Sequence, residues 1–223
     1  TIIVNSFAFK NELKKKFNLK SFCIYNPLDK KRILKNSKKK IKFNFFKKDS
    51  FNIISIARFA EQKDHECLIK SISILKNKEN IRLLLLGSGP KKNKILNLIN
   101  KLNLKKIIKL IDFKKNPYPY LKMSKLFILS SKFEGLPNVL LEAIALDKFV
   151  ISSNCPTGPK EILDNGKGGI LFKIGDYKSL SKKIGLFFNN ESKFKSKRKY
   201  AQKRLNRFNY KDRLNDYFNI INS

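Results

Sequence analysis

The sequence lacks tryptophan, has a single histidine and a single methionine, and contains three isolated cysteines. Cys23, Cys67 and Cys155 are odd in number and have no metal-ligand spacing. They therefore exclude a disulfide framework and a cysteine-based zinc site, and they fit a reducing compartment. No apolar run approaches the roughly 20 residues that a membrane-spanning helix needs. Hydrophobic residues still make up 42% of the chain, which is enough for a packed core and excludes a disordered chain.

Acidic residues are scarce, because 17 Asp and Glu stand against 50 Lys and Arg and give a formal net charge of +33. Such a charge normally indicates nucleic acid or an anionic surface as a partner. However, Lys, Asn, Ile and Phe all have A/T-rich codons, so a biased genome would enrich them without any partner. The lysines are also spread over nearly every segment, and no nucleic-acid-binding signature is present. Genome bias and an anionic surface both stay open, with a bacterial membrane favoured over nucleic acid as that surface.

Strand-like and helix-like segments alternate along most of the chain. The apolar patterns predict strands near 52–57, 81–86, 107–112, 126–130, 148–153 and 169–172, with helices near 64–77, 90–102, 117–123, 137–146, 159–164 and 176–189. This alternation predicts an α/β fold, a doubly wound Rossmann-like parallel sheet covered by helices on both faces. Ligands bind such sheets at the carboxyl ends of the strands.

The segments that flank this core have different patterns. A short strand, a basic helix over Phe7 to Phe17 and a second short strand are predicted within residues 1–30, whereas residues 31–50 have few periodic apolar positions and are interpreted as a linker. Residues 191–223 are first strongly basic and then aromatic at a spacing that suits an amphipathic helix. For that tail, packing between domains is favoured over contact of its basic part with anionic lipid.

Two carboxylates, Glu134 and Glu142, lie eight positions apart around the start of a predicted helix. The strand before them leads into a turn at Glu134-Gly135, and Pro137 suits a first helical turn because its missing N–H would be unpaired there. The free N–H groups and the dipole of a helix start attract a phosphate. Ionised carboxylates accept hydrogen bonds from sugar and ribose hydroxyls. Together these features predict a site for a nucleotide sugar.

This Glu-x7-Glu pattern and two further motifs resemble the C-terminal, donor-binding domain of the retaining GT-B glycosyltransferases of family 4, the group 1 glycosyl transferases. The second motif is Ala57-Arg58 followed by Lys63 and His65, and the third is Gly87-Ser88-Gly89-Pro90 after the next strand. The order and spacing match from about residue 50 to the C-terminus. The resemblance implies the C-terminal half of a GT-B fold, with residues 1–30 as a remnant of the acceptor domain, 51–190 as the nucleotide-sugar domain and 191–223 as helices that cross back.

The resemblance also implies roles for individual residues. Arg58 and Lys63 match the positions that clamp the donor diphosphate, together with the backbone amides of Val139 and Leu140. The other implied site residues are Glu134 as the catalytic residue and a ligand of the transferred sugar, Gly135, Leu136 and Glu142 at the sugar and ribose, and Phe113 near the nucleobase. No metal and no cofactor are implied, because the donor itself, a UDP-sugar or GDP-sugar, is the bound group.

Several positions carry competing interpretations. His65 follows Asp64 at a helix start, where Asp64 can cap the helix, and a structural role is favoured for the histidine. Gly87 to Pro90 fits a strand-to-helix turn and a cleft wall equally well. Glu161 is expected to reach back to an unpaired N–H of its own helix, as in a capping box. Pro137 stands where the family usually has glycine and removes one N–H donor from the site.

The sequence thus predicts the donor half of a retaining glycosyltransferase that moves a hexose or N-acetylhexosamine to a glycan or lipid-linked acceptor. It would work in the cytoplasm or peripherally on the inner face of the membrane, and as a piece of a two-domain enzyme it is expected to be inactive alone. A basic polyanion-binding module that has kept this fold, and a nucleotide-sugar epimerase, are the alternatives. Intact Arg58, Lys63, Glu134 and Glu142 argue against the module.

Overall fold

The computed structural model describes residues 1–222 and contains a six-stranded sheet and a separate two-stranded sheet. The strands are β1 (Ile3–Val4), β2 (Phe22–Cys23), β3 (Phe51–Ile56), β4 (Ile81–Leu86), β5 (Ile108–Ile111), β6 (Leu126–Leu129), β7 (Phe149–Ser153) and β8 (Ile170–Phe172). The larger sheet has the order β5-β4-β3-β6-β7-β8, and every pairing in it is parallel. The predicted doubly wound, Rossmann-like α/β class is confirmed.

The helices cover both faces of the larger sheet. They are α1 (Phe7–Phe17), α2 (Lys30–Ser37), α3 (His65–Ser73), α4 (Lys92–Lys101), α5 (Tyr118–Met123), α6 (Asn138–Ala145), α7 (Pro159–Ile162), α8 (Tyr177–Asn189), α9 (Lys195–Arg204) and α10 (Tyr210–Ile221). Along β4, Leu83 and Leu85 pack with α3, α4 and α8, while Leu84 and Leu86 pack with α5, α6 and α9 on the opposite face. Burial on both faces explains why the parallel strands are almost continuous apolar runs.

The strand order places a switch point between β3 and β6. From β3 the chain proceeds outward through β4 and β5, and then returns to the other side of β3 as β6. Crevices form outside the carboxyl ends of strands at such a point. The segments that follow β3 and β6 carry Arg58 and Glu134, so the topology brings the two sequence motifs to one edge of the sheet.

The first thirty residues form a small unit that packs on the main body. Strands β1 and β2 are parallel, and the basic helix α1 connects them. Tyr25 contacts the ring of Phe208 at a centroid distance of 4.8 Å, and the amide of Leu28 donates to the Phe208 carbonyl at 2.8 Å. Residues 1–30 are therefore joined to the segment that precedes α10.

Residues 31–50, interpreted as a linker, contain most of a helix that the apolar pattern did not predict. Helix α2 starts at Asp29, whose side chain accepts a hydrogen bond from the Arg32 amide at 2.8 Å. It buries Ile33 against the second core, whereas Leu34 stays 40% exposed. Because only one apolar side chain in eight residues is buried, the sequence of α2 shows no helical repeat of apolar residues. The domain boundaries themselves stay a prediction.

The tail forms α9 and α10, joined by a short 3-10 segment. Phe208 is buried, but Phe218 and Ile221 of α10 are 59% and 72% exposed. Packing of this face between domains stays a prediction, and Ser223, the last residue of the predicted tail, lies outside the described residues. Within residues 1–222, no helix is both long and apolar enough to cross a membrane.

Candidate nucleotide-sugar site

Glu134 lies in the turn between β6 and α6 and is held there by two donors. The Lys63 ammonium contacts its Oε1 atom at 2.7 Å, and the Ser131 hydroxyl donates to the same atom at 2.6 Å. The carboxylate side chain is 8% exposed and the Lys63 side chain 19% exposed. A charge pair this far from solvent requires both partners, since removal of either leaves an uncompensated charge. The structure therefore brings together two residues that the sequence had assigned to different parts of the ligand.

Hydrogen bonds to backbone carbonyl groups join the segment after β3 to the turn after β6. The Lys132 amide donates to the Gln62 carbonyl at 2.8 Å, and the Gln62 side chain donates to the Phe133 carbonyl at 2.8 Å. The Ser130 hydroxyl donates to the Lys63 carbonyl at 2.9 Å. These contacts fix the Lys63 and Glu134 backbones relative to each other, so the ion pair is preorganised and costs little further ordering.

The segment after β7 supports the same turn from the other side. The Ser153 hydroxyl donates to the Ser131 carbonyl at 2.6 Å, and the Thr157 hydroxyl donates to the Glu134 carbonyl. Gly158 has φ of +81° and packs against the backbone of Gly135 and the ring of Pro137. The turn that presents Glu134 thus depends on close packing at a glycine outside the three motifs.

We expect Gly158→Ala to destabilise the protein by roughly 1–3 kcal/mol, the usual cost of overpacking, and to weaken nucleotide binding as the Glu134 turn shifts. A Cβ at Gly158 would lie 2.7 Å from the Pro137 Cδ atom and closer still to the Gly135 carbonyl oxygen. Urea unfolding followed by circular dichroism measures the effect. Gly175→Ala is the matched control, because Gly175 also has positive φ, +72°, but no atom within 4 Å of the added Cβ. Equal destabilisation by the two substitutions would contradict the packing argument.

The start of α6 is where the phosphate was predicted to bind. Pro137 precedes the helix, and its carbonyl accepts a hydrogen bond from the Leu140 amide at 3.0 Å. The side chains of Leu136 and Leu140 are buried in the core, while Val139 is half-buried. Leu136 and Leu140 can therefore reach a ligand through backbone atoms alone, and in this structure the Leu140 amide is already engaged.

Glu142 lies one turn further along α6 and faces Tyr118 of α5. The Tyr118 hydroxyl donates to the Glu142 Oε1 atom at 3.2 Å. Burial raises the pKa of Glu142 above its usual value of 4.5, and the tyrosine hydroxyl offsets part of that rise. Burial and the nearby carboxylate raise the pKa of Tyr118 to about 12. Glu142 is therefore a mostly buried carboxyl with one hydroxyl partner, Tyr118.

An open cleft of about 540 Å³ lies beside these residues, at the carboxyl ends of β3, β4 and β5. Its lining includes Arg58, the Gly87 to Gly89 loop, Phe113 and Pro117. The Arg58 side chain makes no ion pair with any carboxylate of residues 1–222, and Phe113 is 64% exposed. Pro117, which lines the cleft, is followed directly in the chain by Tyr118, the hydrogen-bond partner of Glu142. Arg58 and Phe113 are thus free to contact a ligand.

The glycine loop after β4 is both a structural turn and a wall of this cleft. The Phe59 amide donates to the Ser88 carbonyl at 2.8 Å. A Cβ at Gly89, where φ is +149°, would lie 2.6 Å from the Phe59 carbonyl oxygen. The two interpretations that the sequence left open are therefore compatible, because the backbone packing that needs glycine also shapes the cleft.

His65 has the environment of a structural residue. It is 3% exposed, contacts the Phe59 ring edge-on at 5.2 Å, and neither ring nitrogen has a hydrogen-bond partner within the described chain. Burial, with a smaller contribution from the charge of Lys63, lowers its pKa to about 4, so it is neutral at pH 7. The Asp64 side chain accepts a hydrogen bond from the Cys67 amide at 3.2 Å, and the predicted cap is confirmed.

The prediction for Glu161 was wrong. Its carboxylate does not cap its own helix α7, but accepts hydrogen bonds from the amides of Phe7 at 2.9 Å and Ala8 at 3.3 Å, at the start of α1. The Tyr25 hydroxyl donates to it as well, at 2.7 Å. Helix α1 lacks an acidic residue in its own first turn, so a carboxylate from a distant segment satisfies its dipole and free N–H groups.

The acidic, histidine and cysteine side chains of residues 1–222 are dispersed. No group of three or more His, Cys, Asp or Glu side chains is arranged to hold a metal ion there. The charged side chains that line the cleft are those of Arg58 and Lys114.

Comparisons with known proteins identify the family of the chain. The model of the family described as glycosyl transferases group 1 matches residues 36–204. An N-acetylgalactosaminyltransferase of Campylobacter jejuni, which by its name acts on a diphospho-undecaprenol-linked saccharide, is 29% identical over 210 residues, 93% of this chain and 56% of that protein. An uncharacterized glycosyltransferase of Methanocaldococcus jannaschii is 44% identical over 137 residues, 61% of this chain and 34% of that protein.

Solved structures show the same fold at low identity. One is a Staphylococcus aureus TarM mutant in complex with fondaparinux, alpha-GlcNAc-glycerol and UDP, which superimposes with a TM-score of 0.85 at 21% identity. The match covers 99% of this chain and 43% of the TarM chain. Anabaena HepE in complex with UDP superimposes with a TM-score of 0.84 at 18% identity. The match covers 99% of this chain and 63% of the HepE chain. The chain spans 34% of the length of the Methanocaldococcus jannaschii relative and 56% of the length of the Campylobacter jejuni relative. Because the family model covers most of its residues, the chain belongs to the glycosyl transferases group 1 family.

Proposed function

We propose that this chain is the donor-binding part of a retaining glycosyltransferase, which holds a UDP-sugar or GDP-sugar at the carboxyl ends of β3, β4 and β6. The observation that carries the proposal is the Lys63–Glu134 contact of 2.7 Å, which joins the segments after β3 and β6, the first of which also places Arg58 in the lining of an open cleft. A nucleotide sugar has an anionic diphosphate next to a neutral polyol. Cations beside a carboxylate that is already oriented match that distribution of charge and hydrogen-bonding groups.

Each side chain then has a distinct role. The planar guanidinium of Arg58 binds the diphosphate and, with Lys63, stabilises the charge that develops there as the sugar leaves. Glu134 accepts hydrogen bonds from the hydroxyls of the transferred sugar, and Glu142 accepts those of the ribose. The exposed ring of Phe113 offers a stacking surface to the base. The countercharge comes from protein cations, so we expect donor binding without added Mg²⁺.

The acceptor is proposed to be a glycan or a lipid-linked saccharide. The name of the Campylobacter jejuni relative supports this class, because that enzyme extends a saccharide carried on diphospho-undecaprenol. Such an acceptor places the enzyme in the cytoplasm, peripherally on the inner face of the membrane. The charge of +33 would favour contact with an anionic surface.

A ligand panel tests the proposal directly. Calorimetry of the purified chain with UDP, GDP and ADP, in buffer containing EDTA, should show saturable binding of UDP or GDP. Heparin, titrated at 50 and 200 mM salt, serves as the control for attraction driven by net charge alone, which falls steeply with salt. Absence of UDP and GDP binding, with heparin bound tightly, would instead support a polyanion-binding module.

The raised pKa of Glu142 predicts how donor binding depends on pH. Its carboxyl takes up a proton at a higher pH than an ordinary glutamate, so UDP affinity should fall as the pH decreases toward that raised pKa. Tyr118→Phe removes the hydroxyl that stabilises the ionised form, and it should therefore move the fall to higher pH. UDP titrations between about pH 4.5 and 8 measure the shift.

Tyr120→Phe is the matched control for this prediction. Tyr120 belongs to the same helix, and its ring packs against Phe43 at 5.0 Å, away from the Glu142 carboxylate. The ionisation of UDP is common to all three proteins and cancels in the comparison. Identical pH profiles for Tyr118→Phe and the wild type would remove Glu142 from the binding site.

A further inference from the structure

The small two-stranded sheet presents its carboxyl ends to the turn that carries Glu134. Asn5 directly follows β1, and Asn26 lies three residues after β2. The Ile24 amide donates to the Val4 carbonyl at 2.9 Å, which continues the pairing of the two strands toward these asparagines. Neither asparagine belongs to the motifs that define the proposed donor site.

Asn26 is bonded across the crevice to the start of α6. Its side-chain amide donates to the Asn138 Oδ1 atom at 2.8 Å and to the Leu136 carbonyl at 3.2 Å. Both acceptors belong to the segment between Glu134 and the first turn of α6. The carboxyl end of the small sheet is therefore fixed against the donor site by hydrogen bonds, in addition to the packing of Tyr25.

Asn5 lies next to the exposed Gly135. A Cβ built on Gly135 would be 3.5 Å from the Asn5 Oδ1 atom and 3.6 Å from its Nδ2 atom. The side chain of Asn5 is half-exposed, and it makes no hydrogen bond to another residue of the described chain. An amide with free hydrogen-bonding capacity thus faces the residue that adjoins Glu134.

From this geometry we infer that Asn5 is a specificity-determining contact of the transferred sugar, and that Asn26 is the positioning residue that holds it there. The inference rests on the proposed function and deepens it. Ionised Glu134 can only accept hydrogen bonds, whereas the Asn5 amide both donates and accepts. The two side chains together can therefore distinguish donor sugars by the orientation of a hydroxyl or by the presence of an acetamido carbonyl.

The absence of a side chain at Gly135 agrees with this role. The backbone there takes an ordinary conformation, and an added Cβ would meet Asn5 at normal contact distance. The space between Gly135 and Asn5 is therefore only the size of a methyl group. With no side chain to cover it, the Gly135 backbone leaves the half-exposed Asn5 amide open beside the Glu134 turn, where it can contact a hydroxyl or an acetamido group of a sugar.

Binding of UDP and of a panel of UDP-sugars to the 223-residue chain tests the inference. The panel is UDP-glucose, UDP-galactose, UDP-N-acetylglucosamine and UDP-N-acetylgalactosamine. Asn5→Ala should leave the dissociation constant of UDP within about twofold and raise that of the best-bound UDP-sugar by about 3- to 10-fold, the worth of one neutral hydrogen bond. Asn11→Ala, at an exposed asparagine of α1, is the matched control and should change neither.

Asn26 is tested by a double-mutant cycle with Asn5. Asn26→Ala should also lower the preference for a UDP-sugar over UDP, and the double variant Asn5→Ala/Asn26→Ala should lose no more than the larger single loss. A merely structural asparagine would give additive losses. Thermal unfolding of each variant verifies that the fold is retained.

The outcomes separate this inference from the function on which it rests. If the wild-type chain binds neither UDP nor GDP, nor a sugar derivative of either, the proposed function fails and the inference fails with it. If the wild type binds them but Asn5→Ala gives the same affinity ratios for every sugar in the panel, the inference alone is overturned. Equal weakening of UDP and UDP-sugars by Asn5→Ala would also overturn it, because the contact would then lie at the nucleotide.

Discussion

Arg58→Ala is expected to weaken UDP binding by roughly 1.5–3 kcal/mol, the usual contribution of a hydrogen bond to a charged group. This corresponds to about a 10- to 150-fold rise in the dissociation constant. Arg58 lines the cleft and has no carboxylate partner within residues 1–222, so its removal deletes a ligand contact without leaving a buried charge behind. Isothermal titration calorimetry with UDP in EDTA measures the loss.

Lys63→Ala should weaken UDP binding by a similar amount, but it should also destabilise the fold. Its partner Glu134 is 8% exposed and would lose its cation. The double variant Lys63→Met/Glu134→Gln removes both charges, and it should recover part of the lost stability while UDP binding stays weak. For Lys63, the effect on UDP affinity can therefore be distinguished from the effect on fold stability. For Arg58, we expect only the UDP affinity to change.

Lys105→Ala is the control for both substitutions. Lys105 is exposed between α4 and β5, at the opposite edge of the sheet from the cleft. The substitution Lys105→Ala removes one positive charge, as Arg58→Ala and Lys63→Ala do, so any general effect of net charge on UDP affinity appears in all three variants. Unchanged UDP affinity in Arg58→Ala and Lys63→Ala, or equal weakening in Lys105→Ala, would contradict the diphosphate clamp.

The 223-residue chain is expected to bind the donor and to transfer no sugar, a loss of activity to the limit of detection. The chain spans 34% and 56% of two curated relatives, and in GT-B enzymes the reaction takes place between two domains. Arg58 is open to solvent here, and water screens the charge that must stabilise the departing diphosphate. The measurement is transfer of radiolabelled sugar from the bound donor to a lipid extract.

Under the proposed function, the comparison for that assay is a version of this chain to which a complete preceding domain is joined. It should transfer sugar, and Glu134→Gln in it should abolish transfer while UDP binding persists. Robust transfer by the 223-residue chain itself would show that the acceptor site and the catalytic surroundings are already present in it.

The strand Ile81–Leu86 has the predicted bounds because its apolar run is set by the core in which it lies. The helix Phe7–Phe17 also has the predicted bounds, although it contains no buried residue; Ser6 caps its start, and Asn18, in the left-handed conformation, ends it. Helix α2 escaped prediction because it buries Ile33 and little else that is apolar. Local composition cannot reveal an element whose stability comes from a cap at Asp29 and from neighbours distant in sequence.

The candidate site shows the same division. The alternation of strands and helices and the positions of the motifs placed Arg58 and Glu134 at the carboxyl ends of the strands, and the family resemblance placed Phe113 near the nucleobase. They could not show that Lys63 and Glu134 touch, since the two residues are 71 positions apart and their contact depends on how two loops pack. Tyr118 and Asn26 were missed as partners for the same reason, and Glu161 was assigned to the wrong helix.

A crystal structure of this chain with UDP bound would locate the nucleotide itself. We expect the diphosphate at Arg58 and the start of α6, the ribose hydroxyls at Glu142, and the uracil ring near Phe113. The side chains of Glu134 and Asn5 should then lie next to the terminal phosphate, where a transferred sugar would extend. UDP bound elsewhere, for example in the apolar groove of about 680 Å³ between the end of α3 and α8, would contradict the account.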